Sequence, residues 1–450
     1  MYGKNFQVSD TPVLTRRQFL QLAGTVSAAG LFHLYGCAMD PVTGERQLMM
    51  VSRDQEIAID RQQSPFQFSS DYGVIQDQGL NRYINQVGTD LVPHVHRPDM
   101  PYSFQCVNAT YINAYAFPGG TIAVTRGILL SLDNEAELAA LLGHELGHVN
   151  ARHTAEQVSK SQLSSLVVGG LSILANTQSS GLGSLTQQLG ALGQGLYLAK
   201  YSRDNEREAD FLGHEYMVKT GYGSKGFVGL MEMLNALNKQ KPTSAQILFS
   251  THPMSDERLA AAVQRNQGAY AHTADAPLSR ERYMDRTAGL RRHKDAIFSM
   301  QEGEKYLAQE KYDNARTAFA AALDHAEEDY TAHVLMAKCL LIQKKPKEAV
   351  PYANAAIDLY PTEPQGHYVA GLAHVGANRF SQAYDNFAGC DRLLPGNPQL
   401  TFYKGYSRDK LGRQKDAAAD YAAYLKMINY QSNQYSQYAY RRLKEWGYAQ

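Results

Sequence analysis

This chain has few cysteines, a single tryptophan and no formal net charge. Its 450 residues include four cysteines and one tryptophan, and 44 Lys and Arg residues balance 44 Asp and Glu residues. Four cysteines in so long a chain exclude a small disulfide-stapled scaffold. A formal charge of zero provides no long-range field for nucleic acid, so we expect no nucleic-acid partner. Beyond residue 36, no segment reaches the roughly 18 uninterrupted apolar residues of a membrane-spanning helix.

The remaining composition is that of a folded, multidomain protein. Hydrophobic residues make up 44% and charged residues 20%, which argues against wholesale disorder. At about 150 residues per domain, the length predicts two or three domains.

Residues 1–36 are predicted to be an export signal. Arg16 and Arg17, followed by Phe19 and Leu20, resemble a twin-arginine signal. The alternative, the positively charged start of a general secretory signal, stays open. The apolar run that follows is too short to span a bilayer.

The signal ends in a sequence that looks like a bacterial lipobox, Leu34-Tyr35-Gly36-Cys37. We therefore predict lipid attachment at Cys37 and a lipidated tether over residues 37–47. Because Ala38 is not Asp, resemblance to Gram-negative lipoproteins favours the outer membrane. The expected location is the periplasm, with the lipid as the membrane contact.

A 34-residue period organises the C-terminal part of the chain. Small and bulky residues at these offsets resemble the tetratricopeptide repeat, a pair of packed helices. Four repeats are predicted over residues 297–430, and a capping helix over 431–450. Three positions of the repeat recur at intervals of 34 residues. The first is occupied by Ala315, Ala349, Ala383 and Ala417, the second by Phe319, Ala353, Phe387 and Tyr421, and the third by Gly303, Ala337, Gly371 and Gly405.

Residues 48–265 are predicted to form one domain of mixed structure. Helices are expected around 73–92 and 133–160, with short strands at 102–107 and 121–124. A polar connector is expected at 266–296. The stretch 160–200 is predicted as either a mobile flap or an apolar helix.

His144-Glu145-Leu146-Gly147-His148 is the motif with the clearest chemistry. Helix formers precede it, and positions i and i+4 of a helix share one face. His144 and His148 can therefore bind one metal ion, with Glu145 placed to take a proton from the attacking water.

Glu206-Arg207-Glu208-Ala209-Asp210 offers a third metal ligand. Two histidines and a glutamate are an established set for catalytic zinc. Glu206 is the preferred ligand, and Glu208 is the competing one. Asp210, one helical turn beyond Glu206, could accept the second N–H of a ligating histidine. The alternative is a solvated acidic face.

These motifs together resemble the zinc metallopeptidases related to HtpX and the CAAX prenyl proteases. The chain also has that family's Asn113-Ala114-Tyr115-Ala116 segment, its Thr251-His252-Pro253 segment, and Ser202-Arg203 before Glu206. With the repeats attached, it is similar to the exported BepA-like members. The resemblance implies an α+β zincin-like metallopeptidase domain, mostly helical with a small sheet, followed by an all-α tetratricopeptide-repeat solenoid.

The resemblance also implies an activity and the residues that serve it. It implies one Zn²⁺ per chain bound by His144, His148 and Glu206, and hydrolysis of peptide bonds in unfolded or misassembled outer-membrane proteins. His252 is expected at the site, either stabilising the transition state or occupying a fourth ligand position, and Asp210 and Arg203 around the ligands. An edge strand formed by Asn113, Ala114, Tyr115 and Ala116 would bind the substrate.

Three questions stay open at this point. The repeats could bind clients or the outer-membrane assembly machinery, or the protein could be a repeat-based chaperone with a latent or idle metal site. Packing is the preferred role for Cys339 and Cys390, and a disulfide between them is the alternative. The many tyrosines of the repeats are expected in the core rather than in a peptide groove.

Overall fold

The computed structural model describes residues 37–39, 41–42, 44, 46–159 and 200–449. Over these residues the chain is mostly helical, with a three-stranded sheet in the N-terminal domain and helix pairs in the C-terminal half. The expected α+β domain followed by an all-α solenoid is confirmed.

Two small sheets are present among the described residues. β1 (Cys37–Met39) pairs antiparallel with β2 (Arg46–Leu48). β3 (Ser103–Val107), β4 (Ala114–Ala116) and β5 (Thr121–Thr125) form the second sheet in the order β3-β5-β4. β4 is antiparallel to β5 and lies at the edge of this sheet.

The helices of the N-terminal domain and connector are short to medium in length. Side-chain caps begin several of them; Asn134, for example, accepts from the backbone N–H of Glu137. They are α1 Arg53–Ser70, α2 Gln78–Leu91, α3 Arg126–Ser131, α4 Glu135–Asn150, α5 Arg203–Lys219, α6 Lys225–Gln240, α7 Gln246–Thr251, α8 Asp256–Gln267, α9 Arg280–Arg286 and α10 Ala288–Arg292.

The repeat helices come in antiparallel pairs with short turns. They are α11 Lys294–Ala308, α12 Tyr312–His325, α13 Tyr330–Ile342, α14 Pro346–Leu359, α15 Pro364–Gly376, α16 Phe380–Leu393, α17 Pro398–Lys410, α18 Gln414–Met427 and α19 Gln434–Glu445.

Close helix contact explains the 34-residue period. A Cβ on Gly371 would lie 2.5 Å from the ring of Phe387, and Gly303 has the same relation to Phe319 at 2.3 Å. The small residue of one helix therefore leaves room for the aromatic ring of its partner. Tyr421 and Tyr424 are buried in a separate aromatic core that α19 closes, so these tyrosines serve packing.

The first repeats and the N-terminal domain share one apolar core. This core extends through α13 and α15. Polar contacts reinforce this boundary. Arg126 of α3 forms a buried ion pair with Asp329 at 2.6 Å. The ammonium of Lys338 lies 4.7 Å from the ring centre of Tyr72 and donates to Gln365, which in turn donates to the carbonyl of Ser69.

Several sequence expectations fall on these elements. The connector at 266–296 is largely helical, and the first repeat helix begins at Lys294. Cys106, Cys339 and Cys390 are buried and unbridged, so the alternative of a Cys339–Cys390 disulfide is wrong. No helix of the described residues is long and apolar enough to cross a membrane. The export signal, the side chain of Cys37 and the segment 160–199 lie outside the described residues.

Candidate metal centre

Four buried side chains converge on one point. His144, His148, Glu206 and His252 place one ligand atom each within 4.8 Å of all the others. His148 Nε2 lies 3.1 Å from His144 Nε2 and 3.3 Å from Glu206 Oε1. His252 Nδ1 lies 3.0 Å from Glu206 Oε1 and 3.4 Å from His144 Nε2.

These separations fit a metal ion. Ligand atoms about 2.0–2.1 Å from a tetrahedral zinc ion are about 3.3 Å apart. The donor set also fits, since two imidazoles and a carboxylate bind catalytic zinc. Burial lowers the pKa of His148 well below its usual value, which keeps that ring neutral and able to bind a cation.

Close approach of α4 and α5 brings the ligands together. A Cβ on Gly147 would lie 2.8 Å from the carbonyl oxygen of Ala209. A Cβ on Gly213 would lie 2.5 Å from the backbone nitrogen of His144. Only glycine at these positions permits backbones so close, and the contact sets Glu206 beside both histidines.

Asp210 and Arg258 contact the side chains of the candidate metal ligands and hold them in position. Asp210 Oδ1 lies 2.9 Å from His144 Nδ1. Arg258 of α8 contacts Glu206 Oε2 at 2.6 Å and donates to both oxygens of Asp210. Burial alone would raise the pKa of Glu206, but His252 and Arg258 outweigh it and hold this pKa well below its usual value.

Arg203 does not belong to the group of residues that hold the ligands in position. It is the first residue of α5, and its side chain is exposed. The expectation that Arg203 lies around the ligands is therefore wrong. Arg258 is the cation there, because it is buried against Glu206 and Asp210 while the start of α5 faces solvent.

Glu145 and His252 face each other across the site. His252 Nε2 is 4.0 Å from Glu145 Oε1, and both side chains are buried. Burial raises the pKa of Glu145, in spite of the opposing charges of His252 and His144. A carboxylate with a raised pKa is a better proton acceptor than one exposed to water.

Two neighbours of His148 are not expected from the sequence motifs. The ring of Tyr201 stacks on it with centroids 3.7 Å apart. His153 Nδ1 lies 2.9 Å from His148 Nδ1. Helical periodicity places His153 off the ligand face, but α4 ends at Asn150 and the chain turns back at Arg152, whose φ is 58°.

The segment expected to bind substrate lies next to α4. β4 packs against this helix and is paired only with β5 in the described sheet. Its residues are buried, Tyr115 and Ala116 being 6% exposed. Both polar atoms of the Asn113 amide are buried without a hydrogen-bond partner among the described residues.

An apolar cavity of about 20 Å³ adjoins Glu145 and His252. Its size admits a single water molecule. Phe249 and Met254, both half-buried, line it. The other apolar residues that line it are Leu141, Leu230, Met231, Leu234 and Leu248.

Comparison with protein families agrees with this geometry. Residues 78–266, which contain all four clustered side chains, match the model of peptidase family M48. This part of the chain is an M48 metallopeptidase domain. A tetratricopeptide-repeat model matches residues 300–364. Members of the M48 family use a metal ion, and the four donors are where this domain would hold it.

Several curated proteins are similar to parts of this chain. The beta-barrel assembly-enhancing protease of Escherichia coli K12 is 30% identical over 197 residues, 43% of this chain and 40% of that protein. The Yersinia pestis protein of the same name is 30% identical over 263 residues, 56% of this chain and 53% of that protein. The matches thus span about half the length of these relatives.

A third relative and a solved structure complete the comparison. The metalloprotease LoiP of Escherichia coli is 32% identical over 160 residues, 35% of this chain and 60% of that protein. A tetratricopeptide-repeat protein of Thermus thermophilus has a TM-score of 0.29 and 20% identity over 34% of this chain and 84% of its own.

Proposed function

We propose that this protein is a lipid-anchored periplasmic zinc endopeptidase. Its substrates would be unfolded or misassembled outer-membrane proteins, and its repeats would bind these clients or the outer-membrane assembly machinery. The buried set of His144, His148 and Glu206 beside Glu145 carries the endopeptidase part of this proposal. The name shared by the first relatives, beta-barrel assembly-enhancing protease, supports the client class.

Zinc bound by this set would supply Lewis-acid chemistry, activating a water molecule and polarising the peptide carbonyl. Glu145, buried next to His144, would accept the proton of the attacking water and then pass it to the leaving amine. Asp210 and Arg258 keep His144 and Glu206 in place.

An extended peptide would bind along β4. The strand is at the sheet edge and in contact with the catalytic helix α4. The unpaired amide of Asn113 offers a donor and an acceptor to a peptide backbone. β4 is buried in this form, so we propose that substrate entry requires the neighbouring segments to move.

The decisive experiment compares Glu145→Gln with the wild-type protein on unfolded membrane-protein substrates. We expect Glu145→Gln to lower proteolysis by at least about a hundredfold, as expected for loss of a general base. Glu137→Gln is the matched control, because Glu137 is also a buried glutamate of α4 but bonds to Asn134 outside the site. Equal proteolysis by Glu145→Gln and wild type would refute the proposal.

A latent enzyme with chaperone activity is the second candidate. His252 completes the four-donor cluster, which leaves no ligand position for water while His252 remains there. Replacing His252 by Ala should then increase proteolysis. An unchanged or reduced rate would contradict latency and leave His252 the role of stabilising the transition state.

The lipid anchor has its own test. We expect Cys37→Ser to abolish incorporation of labelled palmitate and to release the protein from membranes. Cys106→Ser is the control, because Cys106 is buried in the fold. Continued labelling of Cys37→Ser would place the lipid elsewhere or exclude it.

A further inference from the structure

A second hydrogen-bonded chain leads away from the metal cluster. His148 Nδ1 and His153 Nδ1 are 2.9 Å apart, and His153 Nε2 is 3.2 Å from Glu208 Oε2. Both rings are buried, with exposed fractions of 1% and 2%. The Glu208 side chain is 30% exposed, so the chain ends at the protein surface.

The hydrogen bonds assign the proton positions. An ionised carboxylate only accepts, so the proton of a neutral His153 lies on Nε2, facing Glu208. His153 Nδ1 then carries a lone pair and accepts from the Nδ1–H of His148. The free lone pair of His148 is consequently on Nε2, the atom that faces His144 and Glu206.

The backbone holds His153 in this position at a conformational cost. Arg152 has the left-handed φ of 58°, a conformation that is unfavourable for a residue other than glycine. Its guanidinium contacts the buried carboxylate of Glu56 at 3.0 Å and donates to the carbonyl of Val51 at 2.6 Å. Glu56 also pairs with Arg97 at 2.6 Å. These contacts stabilise the turn that places His153 in contact with His148.

We propose that His153 and Glu208 are positioning residues for the metal site. Together they orient the His148 ring and fix the tautomer whose Nε2 binds the cation, while Glu208 increases the ring's basicity through His153. They do for His148 what Asp210 does for His144, with one additional imidazole between ligand and carboxylate. This inference rests on the proposed metal site and adds two residues to it.

Zinc affinity, measured by competition with a chelator, tests the proposal. Replacing His153 by Phe keeps a ring but removes the acceptor, and should weaken zinc binding by about 10–100-fold. Replacing His153 by Gln keeps an acceptor and should restore most of the affinity. Replacing Glu208 by Met should weaken binding more than replacing it by Gln.

His214→Phe is the matched control, since His214 is a fully buried histidine that bonds to Ser224 and not to a ligand. We expect its zinc affinity to stay within about twofold of wild type. A visible spectrum of the cobalt-loaded protein should change in His153→Phe and stay unchanged in His214→Phe.

The outcomes separate the two ideas. Absence of stoichiometric zinc binding by wild type would refute the metal site itself. Tight wild-type binding with unchanged affinity in His153→Phe and Glu208→Met would overturn only the positioning role. So would a loss of affinity matched by an equal loss of stability in the metal-free variants. If His153→Phe does not fold, Glu208→Met and Glu208→Gln test the positioning role, because the Glu208 side chain is partly exposed.

Discussion

Two buried clusters of charged groups in this protein have opposite electrostatic character. In the metal centre, Arg258 contacts both Glu206 and Asp210, and the pKa of each carboxylate is lowered although burial alone would raise it. At the boundary between the M48 domain and the repeats, burial raises the pKa of Glu363 to about 7 and lowers that of Lys338 to about 7.

The difference lies in pairing and not in burial. Arg258 lies within 3 Å of its carboxylates, whereas Glu363 accepts from the Ser69 hydroxyl and the backbone N–H of Gln365. Neutral donors offset less of the desolvation cost than a guanidinium in direct contact does. The metal centre therefore keeps its carboxylates ionised, whereas burial favours the uncharged forms of Glu363 and Lys338 at the boundary.

The largest effect is expected from breaking the paired cluster. Arg258→Met should lower the free energy of unfolding of the metal-free protein by about 3–5 kcal/mol, because it leaves two buried carboxylates without their cation. Urea unfolding measures this. A loss below about 1 kcal/mol would show that the carboxylates find other partners and would contradict the comparison.

An intermediate effect of opposite sign is expected at the boundary. The folded-state pKa of Glu363, about 7, lies above its ordinary value of 4.5, so wild type loses stability as pH rises between these values. Glu363→Gln removes that loss and should be more stable than wild type by about 1–3 kcal/mol at pH 8, with a smaller difference at pH 5.

Unfolding curves at both pH values check this prediction. Equal differences at pH 5 and pH 8 would mean that Glu363 does not titrate with a raised pKa. Glu348→Gln serves as the control, because the Glu348 side chain is 51% exposed and pairs only at the surface with Arg316.

The smallest effect is expected from a surface pair on helix α5, which carries the metal ligand Glu206. Arg207 contacts Asp204, and their side chains are 46% and 84% exposed. Arg207→Ala should change the free energy of unfolding by less than about 0.5 kcal/mol. A change above 1 kcal/mol would show that helix α5 depends on exposed charges as well as buried ones.

Local sequence patterns account for much of this architecture. The 34-residue period predicts the repeats because one helix pair recurs with the same small and bulky positions, such as Gly371 and Phe387. The spacing of His144 and His148 predicts a shared face because both lie on one regular helix, α4. Asp210 contacts His144, as its spacing of one helical turn from Glu206 predicted for a residue that bonds to a ligating histidine.

Other parts of the site depend on how separate elements meet. Arg203 is three residues from Glu206 yet exposed, while Arg258, 52 positions from Glu206, contacts it. Helical periodicity fails for His153 because α4 ends before it and the chain makes a left-handed turn at Arg152. The boundary between the M48 domain and the repeats joins Tyr72 to Lys338 across distant segments.

The sequence by itself determined the repeat architecture, the helix-borne histidine pair and the glutamate beside it, since these follow from periodicity within single elements. Resemblance to a known family placed His252 at the site, and only the tertiary structure decided which cation supports the carboxylates and that His153 contacts His148. The physical reason is that these contacts depend on the crossing of helices and on one left-handed turn, which short-range periodicity does not encode.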